Sequence, residues 1–151
     1  MATWQEPVDD ATDFAAAVQA RFAVRKHATL ATLRKDGSPR ISGTEVEFAH
    51  GQVRLGSMPG ARKALDLRRD PRLALHSPTS DPAEGDEKSW PGEAKIAGRA
   101  VEEGDPARID EPHQFRIDIT EVVLTGLGEP ADHLVIQSWH PGRGLEIRRR
   151  D

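Results

Sequence analysis

The residues best suited to chemistry lie in Gly56–Leu75, which reads GSMPGARKALDLRRDPRLAL. The pattern predicts a strand end, a helix of two to three turns with Ser57 as its N-cap, and another strand. Pro59 suits a first helical turn, and Asp70-Pro71 predicts the helix end because a residue before proline is pushed out of the helical region. The start of this helix is therefore a candidate site.

An anion suits such a helix start on chemical grounds. Free backbone N–H groups and the positive end of the helix dipole point to one place, and Arg62 and Lys63 follow within the first turns. Phosphate is the anion that we expect there. The other interpretation is a surface helix with solvated charges, and the segment alone leaves both open.

No constellation of catalytic side chains accompanies the helix. The six histidines are scattered, without a Ser-His-Asp arrangement or the spacing of metal ligands. The absence of cysteine excludes disulfides, thiolate metal sites and a cysteine nucleophile, so redox chemistry would need a cofactor. We predict no catalytic side chain and no metal site.

The elements that position the helix are mostly strands. Phe14, Val18 and Phe22 recur every four residues and predict an early helix after a loose leader over Met1–Asp10. Alternating apolar residues predict six to eight short antiparallel strands, three of which lead directly into Gly56–Leu75. Successive hairpins without crossover helices indicate a barrel with helices on its rim.

Two further segments carry local predictions. In the strand Arg40–Phe48, Ile41 and Val46 fall on opposite phases, which predicts a bulge near Gly43. Pro78–Glu93 is rich in Pro, Ser, Asp, Glu and Gly and predicts a long mobile loop, either a lid or an insertion.

Length and composition set the expected organisation. The 151 residues suit one domain, 1–151, and 36% hydrophobic residues against 30% charged ones leave few core side chains, which favours a homodimer. The net charge of −4 argues against a nucleic-acid partner. No apolar run approaches the ~20 residues that span a membrane, and the N-terminus lacks a signal-peptide layout. We expect a cytoplasmic protein without a membrane partner.

Three segments together resemble the flavin-binding split β-barrel family typified by pyridoxamine 5'-phosphate oxidase. They are Ala28–Arg40 (ATLATLRKDGSPR), Gly56–Leu75 and Trp139–Leu145 (WHPGRGL). The resemblance implies a mainly β (α+β) fold, an antiparallel split β-barrel with two to three peripheral helices. It also implies a flavin cofactor at the interface of a dimer.

The resemblance also assigns residues to the cofactor. Ser57, Arg62 and Lys63 become phosphate ligands, and the strand from Arg40 runs beside the isoalloxazine ring. Trp139 either packs over the ring of the partner subunit's cofactor or belongs to the ordinary core. The implied cofactor-binding set is Arg40, Ile41, Ser42, Ser57, Arg62, Lys63 and Trp139.

This sequence departs from the family pattern in two places. Ser42 and Glu47 stand where the oxidase has an arginine and a lysine for the phosphate, so the clamp is weaker or Arg40 substitutes for it. The chain ends at Asp151 without the extension that recognises pyridoxal-type substrates. We therefore expect no pyridoxamine-phosphate oxidase activity.

The implied function is an oxidoreductase that binds FMN and moves hydride to or from a small organic substrate. The deazaflavin coenzyme F(420) is the alternative cofactor, because Arg68, Arg69 and Arg143 could meet its acidic tail or could simply be solvated. Haem is the least expected cofactor. The alternative function is a binding or sequestration protein without turnover, which the degraded clamp favours.

Overall fold

The computed structural model describes residues 2–105, 107 and 110–151, with close to half of them in strands. Its α-helices are α1 (Gln5–Asp10), α2 (Thr12–Ala23) and α3 (Arg62–Arg69). Its strands are β1 (His27–Leu33), β2 (Pro39–Ala49), β3 (Gln52–Ser57), β4 (Arg72–His76), β5 (Glu93–Glu103), β6 (His113–Leu127), β7 (Leu134–His140) and β8 (Gly144–Arg150).

The strands form one antiparallel sheet in the order β3-β2-β1-β4-β5-β6-β7-β8. A pairing between β3 and β6 closes the first six strands into a barrel. β7 and β8 continue the sheet outside it, with β8 paired to β7 along its whole length. The predicted antiparallel split β-barrel with peripheral helices is confirmed.

The strand β2 corrects one prediction. It pairs with β1 without a register shift from His27↔Glu45 to Leu33↔Pro39, so it contains no bulge at Gly43. The even-numbered residues of β2 are its more buried ones, and Ile41 points outward with 75% of its surface exposed. Ile41 and Val46 therefore fall on opposite phases because Ile41 is an apolar residue on the outer face of β2, and not because the strand contains a bulge.

The bulge lies instead between β5 and β6. The register shifts between Ala97 and Gly98, and the buried phase of β6 moves from Ile119 to Val122. A Cβ on Gly98 would lie 2.2 Å from the carbonyl oxygen of Asp118. Only glycine permits this approach of two backbones.

The N-terminal segment corrects the predicted leader over Met1–Asp10. Ala2 forms a bridge with β6, and Trp4 is 4% exposed and meets Phe48 edge to face at 4.9 Å. These residues are ordered because their apolar side chains complete the core beside the barrel. Met1 lies outside the described residues.

Helix α2 and the loop after β4 follow the sequence pattern. Phe14, Val18 and Phe22 are each at most 6% exposed and pack into the core, as predicted. The loop from Pro78 holds a 3-10 turn over Glu87–Ser89 and gives way to β5 at Glu93. In the described ranges, no helix is long and apolar enough to cross a membrane.

A buried carboxylate fixes α3 to the barrel. Asp66 is 3% exposed, and its Oδ2 accepts hydrogen bonds from Arg40 Nε at 2.7 Å and Thr32 Oγ1 at 2.8 Å. An Arg69 guanidinium nitrogen donates to Oδ1 at 3.0 Å. Burial alone would raise the pKa of Asp66, but the hydrogen bonds from Arg40, Thr32 and Arg69 outweigh it and hold that pKa below the ordinary value.

Replacing Gly98 tests the close backbone approach. We expect Gly98→Ala to lower the free energy of unfolding by about 1–3 kcal/mol, because the added methyl group overlaps the Asp118 carbonyl. Gly126→Ala is the matched control, since a Cβ at Gly126 meets nothing within 4 Å. Urea denaturation measures both, and equal losses would contradict the bulge geometry.

Replacing Asp66 tests the anchor of α3. We expect Asp66→Asn to cost about 3 kcal/mol of unfolding free energy at pH 7, because it leaves Arg40 without its buried partner. The folded-state pKa of Asp66 is depressed, so its contribution exists above the ordinary value of 3.8 and is lost as the pH falls through the folded value. The gap between wild type and variant should therefore shrink below about pH 4. Asp81→Asn, in the exposed loop, should leave stability unchanged at every pH.

Candidate functional site

Helix α3 begins four residues later than a Ser57 cap requires. Ser57 ends β3, and the N-cap is Ala61, which offers no capping side chain. Gly60 takes the left-handed conformation, with φ of +72°, and the Ala61 N–H donates to the Met58 carbonyl at 3.1 Å. The predicted end of the helix is confirmed, because Asp70 is the C-cap.

The late start leaves hydrogen-bond donors without acceptors. Within the part of the chain that the structure describes, the N–H groups of Arg62 and Lys63 have no acceptor, and the exposed Arg62 side chain has no ion pair. Lys63 Nζ donates to the neutral carbonyl of Gly43 at 2.8 Å. Ser57 Oγ is buried without a hydrogen-bond partner. This donor set is chemically suited to an anion.

An open cleft of about 840 Å³ has Ser57 and Lys63, but not Arg62, in its lining. Most of it lies on the outer side of β2 and β3, where strand alternation points the odd residues of β2 and the even residues of β3. The side chains and glycines on that side are Gly43, Glu45, Glu47, Arg54 and Gly56, with Gln114 beside them on β6. Ser57 has an odd number, so its buried hydroxyl shares the barrel-facing side of β3 with Val53 and Leu55.

The charges of the cleft alternate along the sheet. Glu47 lies directly opposite Arg54 in the β2–β3 register, and Arg54 reaches Glu103 at 3.3 Å while its Nε is buried without a partner. Glu45 forms an ion pair with Lys26 at 3.3 Å. Arg54 is a positively charged residue of the cleft that was not predicted from the sequence. Pairing residues outward from the hairpin turn between β2 and β3 places it opposite Glu47.

The remaining predicted site residues do not line the cleft. Arg40 forms an ion pair with Asp66 and is not among the residues that line the cleft. Ser42 shares the barrel-facing side of β2 with the buried Thr44, whereas Ile41 points outward. Trp139 is 1% exposed and its Nε1 donates to Asp10 at 3.0 Å, so it belongs to the core, one of its two predicted places.

No cluster of three or more potential metal ligands occurs among residues 2–105, 107 and 110–151. Five of the six histidines in these ranges each lie within 4 Å of one acidic side chain, as His76 does with Glu93 at 3.1 Å and His140 with Glu121 at 2.8 Å. The chemistry that the cleft can perform with its own side chains is therefore binding and orientation of a polar ligand.

No family model and no curated protein matches the sequence. Solved structures do match the fold. A pyridoxamine 5'-phosphate oxidase-related, FMN binding protein from Nostoc punctiforme PCC 73102 superposes with a TM-score of 0.64 at 14% identity. The match covers 100% of this chain and 98% of that one.

Two other solved structures also superpose on this fold. An F(420) reductase superposes with a TM-score of 0.50 at 12% identity, over 68% of this chain and 92% of that chain. A heme binding protein from Mycobacterium smegmatis does so with a TM-score of 0.55 at 17% identity, over 89% and 87%. At these identities the likeness concerns the fold alone, and this chain shares the split β-barrel fold of these proteins.

Proposed function

We propose that the chain binds FMN in the cleft between β2, β3 and α3, and acts as an FMN-dependent oxidoreductase. The observation that carries the proposal is the set of unused donors at the start of α3. Ser57 Oγ has no partner, Arg62 has no ion pair among the described residues, and Lys63 Nζ has only a neutral carbonyl. A phosphate would give the two cationic side chains charge-assisted hydrogen bonds, which are about twice as strong as neutral ones.

The size and charge of the cleft are compatible with this ligand. A volume of about 840 Å³ is within the range of small-molecule sites. Lys63 contacts Gly43, and Glu47 lies four residues further along β2, about 13 Å away at the usual strand rise. Glu45, between them, is neutralised by Lys26. The phosphate end of the cleft is therefore cationic although the cleft also holds carboxylates.

Glu47 favours FMN over the deazaflavin coenzyme F(420). That coenzyme carries an acidic oligoglutamate tail, and an exposed carboxylate in the cleft repels such a tail. Haem fits less well, because His27, the histidine in the cleft lining, lies 3.8 Å from Glu45 with most of its side chain in solvent. The fold itself does not choose among the three cofactors, because an FMN binding protein, an F(420) reductase and a heme binding protein all share it.

Bound FMN would supply hydride and electron transfer. The chain then has to bind the cofactor, fix its orientation and limit the access of water. The β2 backbone from Gly43 to Glu47 and the Gln114 amide offer hydrogen-bonding groups beside the phosphate site for that purpose. A small organic substrate and a cytoplasmic location are part of the proposal, the latter because a chain without cysteine needs no oxidising compartment.

A homodimer is also proposed, with its interface beside the cleft. Met58, in the cleft lining, is 78% exposed, and Ile41, on the outer face of β2, is 75% exposed. Burial of large apolar side chains is favourable, by about 1.5–3 kcal/mol for each one fully buried. A second copy packed here would cover both side chains and narrow the mouth of the cleft.

Native mass spectrometry tests cofactor and subunit number together. The purified protein is mixed in turn with FMN, coenzyme F(420) and hemin at equal concentrations. We expect two chains with two FMN molecules, and reduction of the bound FMN should be reversed by a small organic acceptor in steady turnover. Absence of saturable FMN binding would overturn the proposal, and binding without turnover would favour the sequestration function.

The phosphate ligands can be tested by charge removal. We expect Arg62→Ala with Lys63→Ala to weaken FMN binding ten- to hundred-fold, about 1–3 kcal/mol, through the loss of charge-assisted hydrogen bonds. Riboflavin, which has no phosphate, should bind equally to wild type and variant. Arg148→Ala with Arg149→Ala removes the same charge from β8 and should not change FMN affinity, so an equal loss in this control would mean a non-specific charge effect.

The interface can be tested by placing charges on it. Ile41→Lys with Met58→Lys should convert the dimer to a monomer, because two desolvated ammonium groups would face two others across the interface. Ile147→Lys, at a 52% exposed residue of β8, is the control and should stay dimeric. Native mass spectra of all three proteins measure this, and a dimeric double variant would place the interface elsewhere.

A further inference from the structure

The buried side chain of His113 contacts the turn that precedes α3. His113 is 6% exposed, and its Nε2 accepts a hydrogen bond from the backbone N–H of Gly60 at 3.1 Å. The two residues are 53 positions apart. Gly60 is the left-handed residue of the turn, and Ala61, the N-cap of α3, follows it directly.

The other ring nitrogen of His113 faces a charged pair. Nδ1 lies 3.1 Å from a guanidinium nitrogen of Arg68 and 3.5 Å from Glu102 Oε1. Arg68 is already satisfied, because its Nε and a terminal nitrogen bind the Glu102 carboxylate at 2.9 and 2.6 Å. The Gly60 N–H has only His113 as acceptor among the described residues.

The protonation state of the imidazole ring decides whether His113 can accept a hydrogen bond from Gly60. A neutral imidazole has one acceptor nitrogen, so His113 can accept from Gly60 or from Arg68, but not from both. Arg68 already donates to Glu102, whereas the Gly60 N–H has no other acceptor in the described part of the chain. The tautomer with its lone pair on Nε2 and its proton on Nδ1, toward Glu102, therefore leaves fewer hydrogen-bonding groups without a partner. If Nε2 were protonated, its N–H would face the N–H of Gly60, and no hydrogen bond could form between the two donors.

We propose that His113 is a positioning residue for the phosphate site, whose neutral ring holds the turn that presents the free N–H groups of Arg62 and Lys63. The inference rests on the proposed function and adds a pH dependence to it. Protonation of His113 removes the acceptor for Gly60, releases the turn and weakens phosphate binding. Affinity for the phosphate should therefore be lower at pH 5 than at pH 8.

The surroundings of His113 are compatible with this role. Arg68 on α3 opposes a second positive charge and Glu102 on β5 favours one, while the β3 residue paired with His113 is the uncharged Ser57. Hydrogen bonds from Arg68 outweigh burial and hold the pKa of Glu102 below its ordinary value, so Glu102 stays ionised between pH 5 and pH 8. Further acidic residues line the small cavity beside the ring, namely Glu103, Asp105 and Glu111.

The test compares two replacements of His113 by their affinity for FMN and for riboflavin between pH 8 and pH 5. His113→Gln keeps a neutral acceptor of similar size, so its FMN affinity at pH 8 should stay within about three-fold of wild type. His113→Leu removes the acceptor and should weaken FMN binding about ten-fold at pH 8, with little effect on riboflavin. The ratio of wild-type to Gln-variant affinity cancels the titration of the FMN phosphate itself, and it should fall as the pH is lowered.

His140→Gln is the matched control, because His140 pairs with Glu121 on β6 and does not contact the turn. A Leu variant that binds FMN like wild type, or a Gln variant with the wild-type pH profile, would overturn the inference. Should the Leu variant not fold, His113→Asn replaces it, since its shorter side chain withdraws the acceptor from Gly60.

A measurement without cofactor separates this inference from the proposed function. The chemical shift of the Gly60 amide should differ more between pH 8 and pH 5 in wild type than in the Gln variant, and its hydrogen exchange relative to that variant should be faster at pH 5. A Gly60 amide that is indifferent to His113 would refute the positioning role even where FMN binds. Failure of wild type to bind FMN at any pH would instead refute the proposed function.

Discussion

The pairing of β3 with β6 is the constraint on which the site depends. It closes the barrel, and its register from Arg54↔Arg116 to Ser57↔His113 brings the end of β3 against the start of β6. Gly56 lies opposite Gln114, whose amide would be 3.3 Å from a Cβ at that glycine. The cleft, the end of β3 and the turn into α3 all take their places from this one long-range ladder.

Helix α3 is stabilised along its side and not at its start. Asp66 ties it to β1 and β2, and Ala64 and Leu67 are buried beside it. A serine or aspartate at the N-cap position, where Ala61 stands, would stabilise a helix by about 1 kcal/mol. It would also take up the N–H groups that now have no acceptor. The lateral anchor allows the chain to leave the helix start unsatisfied, as a binding site for an anion requires.

Local patterns of the sequence were sufficient to predict the hairpins, helix α2, the end of α3 and the barrel class. They failed where long-range contacts decide. Arg40 looked available for a ligand because its partner, Asp66, is 26 positions away. The predicted leader contained Trp4, which is buried by Phe48 from a distant strand. Ser57 and Lys63, which the sequence suggested as phosphate ligands, both line the cleft, and their role as ligands stays a prediction. Finding Arg54 requires the register of β2 with β3 to be used residue by residue.

The free edge of β8 has a consequence for how the molecule behaves among its own copies. This strand pairs with β7 on one side, and its other edge ends in Arg148, Arg149 and Arg150. An unpaired edge is a template on which a neighbouring sheet can extend, and the exposed Ile147 would add to that tendency. Three consecutive guanidinium groups repel an identical edge, so we expect the edges of two copies to stay apart at low salt. High salt screens this repulsion and should favour contact between the edges.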